Sequence, residues 1–291
     1  MGLPHRPDFC LRPTTTDHEA TIHADFLPAP ALWAATEPIL PEAGSGPGKR
    51  GRPRTCNRQM FFAIYYLLCT GMQWKALPRC LGAASTVHDR LQEWALAGVF
   101  KQLWASGLLQ LQVEGRLDWD WQCLDACQTK APLGGEAVSP NPTDRGKGGV
   151  KRHLLTEAQG LPVGVAVTGA NVHEVTQVQA VLDSMPVLPP PAESDFAPGF
   201  CADKGYDAEA VRRLLAQWGY RVHILGRGEE ADKCRTPGYR ARRWVVERTH
   251  AWFHRFRRLL IRWEKKVANY EVLLHFACAN TIWRHSLLFS G

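Results

Sequence analysis

A strongly basic, two-faced segment, residues 239–266, most constrains the fold of this chain. Its apolar side chains recur at steps of three and four, which predicts one long amphipathic helix. The predicted buried stripe is Val245, Thr249, Trp252, Phe256, Leu259 and Trp263. The predicted outer face is Arg243, Glu247, His250, His254, Arg258 and Lys265. Most helices of this kind are solvated surface helices.

Glu247 is isolated on that outer face. Residues 233–266 contain twelve Lys or Arg and only two Asp or Glu, namely Glu247 and Glu264. On a face that binds a polyanion, a single carboxylate would repel the phosphates unless a metal cation lies between them. The segment therefore raises the question of whether other carboxylates complete a metal site.

Length and charge narrow the class of protein. The chain has 291 residues, enough for one large domain or two modest ones, and a formal net charge of +7, which favours an acidic partner such as nucleic acid. Its nine Cys form no CxxC pair, so reduced thiols are expected rather than a disulfide framework. We see neither a signal peptide nor a run long enough to span a membrane, so we expect a cytoplasmic protein that makes no membrane contact.

The first part of the chain is predicted to be helical. Residues 1–50 are interpreted as a tail that leads into a basic arm at 49–54, and 51–112 as a small all-α, helix-turn-helix-like DNA-binding domain. Its predicted elements are helices at 58–70, 74–80, 86–97 and 99–111. Ser85 is expected to cap the third, with Val87, Leu91 and Trp94 buried and His88, Asp89, Arg90, Gln92 and Glu93 exposed. A simple helical bundle is the alternative.

Residues 113–291 are predicted to form an α/β domain with a mixed sheet. The expected strands are 119–126, 151–158, 161–170, 200–203 and 221–225, and the expected helices are 173–185, 208–218, the basic segment and 270–289. The stretch 128–150 is interpreted as a long irregular loop, and 270–289 as core or dimer surface. Asp207 is expected to cap the helix at 208–218, which leaves Asp203 free.

Two strand carboxylates and Glu247 suggest a catalytic metal site. Asp125 lies on the first strand and Asp203 at the end of the fourth, whereas Asp118 and Asp120 point to the opposite face of the first strand. Taken singly, an Asp at a strand end is usually a turn or cap residue. Together, three carboxylates suit Mg²⁺, and two such ions about 4 Å apart can hold the attacking and leaving oxygens of a phosphoryl transfer.

Seven longer runs carry a resemblance that extends over residues 52–283. They are TGMQWKALP (70–78), KAPLGGE (130–136), PNPTDRGKGG (140–149), KRHLLTEAQGLP (151–162), TGANVHE (168–174), CADKGYD (201–207) and RWVVERTHAWFHRFRRL (243–259). With these runs the chain resembles bacterial insertion-sequence transposases of the DDE type, closest to the insertion-sequence "five" family.

The resemblance implies a fold, a reaction and partners. It implies an RNase-H-like catalytic domain in which Asp125, Asp203 and Glu247 hold two Mg²⁺ ions, with Mn²⁺ able to replace them. The implied reaction is cleavage at the 3′ ends of the element, followed by transfer of those ends to target DNA. The implied partner is double-stranded DNA, both the terminal inverted repeats and the target. A homodimer on paired ends is expected, and no nucleotide cofactor.

The family signature around the Glu is Tyr, two residues, Arg, three residues, Glu, six residues, Lys. Arg243 and Glu247 match it, whereas Arg240 stands where the family has Tyr and His254 stands where it has Lys; Tyr239 lies one residue early. The DNA contacts expected from the resemblance and the local charge are Arg243, His254, Arg240, Lys204 and Arg258.

Three other functions remain open at this point. A metal-dependent nuclease of the same fold would carry the same triad. A DNA-binding regulator derived from a transposase would keep the fold without the activity. A zinc protein could use His250 and His254, which have ligand spacing, near Glu247.

Overall fold

The computed structural model describes residues 26–42, 54–190, 197–225 and 242–288. Tyr239, Arg240 and all of the predicted basic arm except Arg54 lie outside the described residues. Among the described helices, none combines the length and the apolar character that a membrane crossing requires.

Four helices form the first half of the described chain. They are α1 (Pro30–Thr36), α2 (Asn57–Thr70), α3 (Ala84–Leu96) and α4 (Val99–Val113). The helix predicted at 74–80 is instead two short 3-10 turns, Trp74–Ala76 and Arg79–Leu81. Pro78 explains the break, because proline disfavours helical geometry at the preceding residue, and Leu77 is indeed extended (φ −59°, ψ 129°).

Helix α3 differs from its prediction in two respects. It begins at Ala84, and neither Ser85 nor any other side chain caps it. Arg90, expected to be exposed, is 4% exposed. Its guanidinium group donates to Asn57 Oδ1 and lies over the ring of Trp94, 5.8 Å from its centre. Arg90 therefore ties α3 to the start of α2 and is not part of an outer face.

A mixed sheet of six strands forms the centre of the second half. The strands are β1 (Trp121–Lys130), β2 (Ser139–Pro140), β3 (Gly148–Glu157), β4 (Pro162–Gly169), β5 (Gly199–Ala202) and β6 (Arg221–Ile224). β3 pairs antiparallel with β1 on one side and with β2 and β4 on the other. β5 pairs parallel with β1, and β6 parallel with β5. Apart from the two-residue strand β2, the order is three antiparallel strands, β4, β3 and β1, extended by two parallel ones, β5 and β6. This is an RNase-H-like sheet and confirms the predicted fold class.

The helices of the second half are α5 (Val178–Asp183), α6 (Glu209–Gln217), α7 (Trp244–Phe253) and α8 (Val267–Leu288). The helix predicted at 173–185 begins as a 3-10 turn, Glu174–Gln177. The predicted loop at 128–150 is shorter than expected, because β1 continues to Lys130 and β3 already begins at Gly148. The predicted hairpin of β3 and β4 is confirmed.

The prediction of one long helix at 239–266 is wrong. α7 ends at Phe253, and a 3-10 turn, Arg257–Leu259, follows before α8. Phe256 leaves helical geometry (φ −86°, ψ 89°) and is buried, as is Phe253. The apolar period of the sequence continues across this bend because apolar side chains before and after it both pack into the core. Trp263, expected in the buried stripe, is 38% exposed.

One continuous buried core joins the helical half to the sheet half. Phe276 of α8 packs its ring against Phe61, Tyr65 and Phe100 from α2 and α4. Trp104 Nε1 of α4 donates a hydrogen bond to the carbonyl of Pro162 at the start of β4 (2.8 Å). α8 is thus core, one of the two roles predicted for it, and the domain boundary at 112/113 stays a prediction.

Candidate active site

Asp125 and Asp203 follow equivalent positions on neighbouring strands. β1 and β5 run parallel, and Cys123 pairs with Cys201 in their register. Each Asp comes two residues after its Cys, so both stand at the same end of the pair. Parallel neighbours lie about 4.8 Å apart, which brings the two acids to one edge of the sheet.

Asp203 also caps a turn, a role that was not predicted from the sequence. Its Oδ1 accepts a hydrogen bond from the backbone N–H of Gly205 (2.8 Å), so it caps the 3-10 turn Lys204–Tyr206. The expectation that Asp207 caps the next helix is wrong. Asp207 accepts hydrogen bonds from Arg212 instead, and Ala208 occupies the cap position. The cap uses Oδ1 of Asp203. Oδ2 stays available, and the hydrogen bond to the turn fixes the orientation of the whole carboxylate.

The hairpin between β3 and β4 positions the helix that carries Glu247. On α7, Thr249 Oγ1 donates to the carbonyl of Gly160 (2.6 Å), and Arg248 donates to the carbonyl of Gln159. Glu157 holds the turn itself, since its Oε1 accepts from the backbone N–H groups of Gln159 (2.9 Å) and Leu161 (2.7 Å). Glu247 lies exposed in the first turn of α7.

Burial and neighbouring negative charges both act on the carboxyl group of Asp125. Burial raises the pKa of Asp125 to about 6, and a backbone hydrogen bond from Ala126 opposes this rise. The negative charges of Asp203, Glu174 and Glu247 raise the pKa further. The charges of three carboxylates on other elements, two of which were predicted, therefore act on Asp125.

Sequence reasoning missed that fourth carboxylate, Glu174. Lys151 Nζ forms an ion pair with its Oε1 (3.0 Å) and donates to the carbonyl of Val172 (2.9 Å). The turn Glu174–Gln177 packs against the turn Lys204–Tyr206 that follows Asp203. In the sequence, Glu174 is marked only by its place at the end of the run TGANVHE. An acid at the start of a helix is common and by itself does not indicate a functional site.

His250 is a neutral neighbour of Asp125. Its Nε2 lies 3.8 Å from Asp125 Oδ2, and its side chain is 8% exposed. Burial, followed by the charge of Arg152, lowers the pKa of His250 to about 3. His254 is exposed, and among the described residues the two His do not form, with Glu247 or another ligand, a group that could hold a metal ion.

The donor set suits a hard divalent cation, although the side chains are not gathered around one. Across the described ranges, no three His, Cys, Asp or Glu side chains stand close enough to hold a metal ion. All the acids named above offer carboxylate oxygens, which Mg²⁺ prefers. A cation would also relieve the mutual repulsion that raises the pKa of Asp125. The residues fit such an ion provided that the carboxylates move closer together.

Arg258 is not available to DNA, contrary to the prediction. Its side chain is 4% exposed, and it donates to Glu264 Oε1 from Nε (2.7 Å) and Nη2 (2.6 Å). Its Nη1 donates to the carbonyl of Met72 (2.8 Å), just after α2. Arg258 is thus a buried link between the two halves of the molecule.

The other expected DNA contacts differ in exposure. Lys204 is exposed beside Asp203. His254 is exposed at the end of α7, where burial and then the charge of Arg152 lower its pKa. Arg243 is half-buried and already has a partner within the protein.

Comparison with known families covers most of the chain. Residues 30–104 match a family described as "Putative transposase of IS4/5 family", and residues 112–281 match the family "Transposase DDE domain".

Individual relatives are consistent with these matches. A protein of Burkholderia cepacia named "Putative transposase for insertion sequence element IS402" is 39% identical over 150 residues, which are 50% of this chain and 68% of the relative. A second B. cepacia protein, "Insertion element IS402 uncharacterized 16.2 kDa protein", is 31% identical over 38% of this chain and 78% of its own length.

One solved structure aligns with most of the chain, namely the crystal structure of the Mos1 mariner paired end complex with Mn. The alignment covers 87% of this chain and 86% of the solved chain. Its TM-score is 0.26 and its identity 12%, too low to support an argument. The DDE match alone, which spans more than half of the chain, implies divalent metal and DNA as partner. The chain belongs to the DDE transposases of insertion sequences, in the IS4/5 group.

Proposed function

We propose that this transposase binds the terminal inverted repeats of an insertion sequence, cleaves at the 3′ ends and transfers them to target DNA. The observation that carries the proposal is that Asp125 and Asp203 stand at the same end of two neighbouring parallel strands. The negative charge of Glu247, on α7, also acts on Asp125. Two-metal phosphoryl transfer uses positioned negative ligands of this kind to hold the ions, and needs no protein nucleophile.

Each acid has a separate role in this proposal. Asp125, Asp203 and Glu247 would hold two divalent ions, Mg²⁺ in the cell, and when bound these ions activate the attacking oxygen and stabilise the leaving 3′ oxygen. Asp203 is kept in orientation by its turn, and Glu247 by the contacts of α7 with the β3–β4 hairpin. Asp125, with a pKa of about 6, would be mostly ionised at neutral pH and able to serve as a ligand.

The proposed DNA contacts are exposed cations near these acids. Lys204 adjoins Asp203, and His254 stands at the end of α7, so both could follow a phosphate backbone that reaches the site. Arg243 and Arg240 remain proposed contacts from the family signature. For the N-terminal helices, the exposed Lys75 and Arg79 on the 3-10 turns favour binding to the repeats. Two ends require two protomers, hence the proposed homodimer.

The test uses the full chain and DNA from both flanks of its gene. We expect Asp125→Asn, Asp203→Asn and Glu247→Gln each to lower Mg²⁺-dependent cleavage by at least ~100-fold while end binding and the melting temperature stay near wild type. Retained cleavage by any one variant would remove that residue from the site. Joining of a labelled, precleaved end to a plasmid separates a transposase from a nuclease, which gives no joined product.

A further inference from the structure

Tyr206, which follows Asp203 by three residues, carries a buried hydroxyl group without a hydrogen-bond partner among the described residues. The side chain is 0% exposed, and within the described residues no group bonds to its Oη. Buried polar groups are almost always paired, because burial without a partner costs free energy. This hydroxyl group therefore needs a reason that packing alone does not supply.

The surroundings of Tyr206 are the acids of the site. Tyr206 ends the 3-10 turn that Asp203 caps, and its backbone N–H donates to the Asp203 carbonyl (3.1 Å). Burial, and then the charges of Glu174, Asp125 and Asp203, raise its pKa, so the phenol keeps its proton and can act only as a neutral donor. Three strong acceptors thus lie near a donor, none of them at bonding distance.

We propose that the Tyr206 hydroxyl group is a positioning group of this site, which donates a hydrogen bond to a carboxylate of the acidic cluster once a divalent cation draws the acids together. Carboxylates that bind the same divalent cation lie close together around it. A hydrogen bond from a neutral donor to a carboxylate is charge-assisted and directional, so it fixes how the acid faces the ion. The inference rests on the proposed function, because it concerns the same cation site.

The test compares two Tyr→Phe variants of the full chain. For Tyr206→Phe we expect a melting temperature without cation equal to or above wild type, because the hydroxyl group has no partner to lose. We also expect the affinity for Mn²⁺ to fall by about tenfold. The electron paramagnetic resonance signal of free Mn²⁺ measures this affinity. The matched control is Tyr220→Phe, whose buried hydroxyl group donates to Gln122 Oε1 (2.8 Å). Tyr220→Phe should have a lower melting temperature than wild type and the same affinity for Mn²⁺.

Asp203→Asn separates the two proposals. If Asp203→Asn loses Mn²⁺ binding while Tyr206→Phe binds like wild type, the positioning role of Tyr206 is overturned and the proposed function stands. A drop in the cation-free melting temperature of Tyr206→Phe to that of Tyr220→Phe would equally overturn it, since the hydroxyl group would then have a structural partner. Wild-type Mn²⁺ binding by Asp203→Asn would instead overturn the proposed function.

Discussion

At the residue scale, charge alone does not tell which cations face solvent. Arg258 and His250 belong to the same predicted outer face as Glu247, yet both are buried. Arg258 is held inside by Glu264, six residues later, and by a carbonyl of a distant segment. Neither partner is visible in a helical projection, because the chain bends at Phe256. The adjacency of Asp125 and Asp203, in contrast, could be predicted from their strand positions. Glu247 as the third acid stays a prediction.

Removing the Arg258 side chain should destabilise the protein more than it weakens DNA binding. We expect Arg258→Ala to cost roughly 3–5 kcal/mol of unfolding free energy, because it leaves Glu264 charged and unpaired in the interior. Urea unfolding measures this loss. Arg257→Ala, which removes an exposed cation next to it, is the matched control and should change stability little. Unchanged stability in Arg258→Ala, with weaker DNA binding, would restore the original prediction.

At the element scale, a turn on the sheet sets the position of the third acid. The hairpin of β3 and β4 could be predicted from the two apolar runs on either side of Gln159 and Gly160. Its contact with α7 could not, because the two segments are about ninety residues apart and neither pattern refers to the other. The same limit explains Glu174, which reaches the site only through the packing of two 3-10 turns. Sequence periodicity identifies elements, whereas contacts between their ends follow from the fold.

Gly160 offers a test of that contact. It has φ +88°, and a Cβ there would lie 2.8 Å from Arg248 Nη2 and 3.0 Å from Thr249 Oγ1. We expect Gly160→Ala to lose about 1–2 kcal/mol of stability and to lower cleavage ~10-fold or more, because α7 and Glu247 are displaced. Gly219→Ala is the control: φ is +79° there, and nothing lies within 4 Å of the added Cβ. Equal cleavage by both variants would contradict a role of the hairpin in placing Glu247.

At the scale of the whole molecule, α8 packs against the N-terminal helices and so connects the two predicted domains. Its Phe276 fills a space between α2 and α4, and Trp283 Nε1 donates to the carbonyl of Leu103 in α4 (3.1 Å). Apolar character predicted that α8 is buried, but not that its partners lie in the N-terminal helices. The helical region and the sheet are therefore expected to unfold together.

Truncation of Phe276 tests this coupling. We expect Phe276→Ala to cost roughly 3–5 kcal/mol, since its buried ring leaves a cavity between helices of both halves. Calorimetry and tryptophan fluorescence should give one transition, shifted to lower temperature. Leu96→Ala, at a position 92% exposed, should leave that transition in place. Two separate transitions in the wild type would show independent domains.

The packing of α8 also has a consequence during synthesis. Helices α2 to α4 leave the ribosome long before residues 267–288 are made, and at a synthesis rate of about 5–20 residues per second they wait for many seconds without the helix that covers their apolar faces. The nascent N-terminal region is then an exposed apolar surface that folding chaperones can hold. Any activity that needs the folded N-terminal helices would then wait until α8 has emerged and docked.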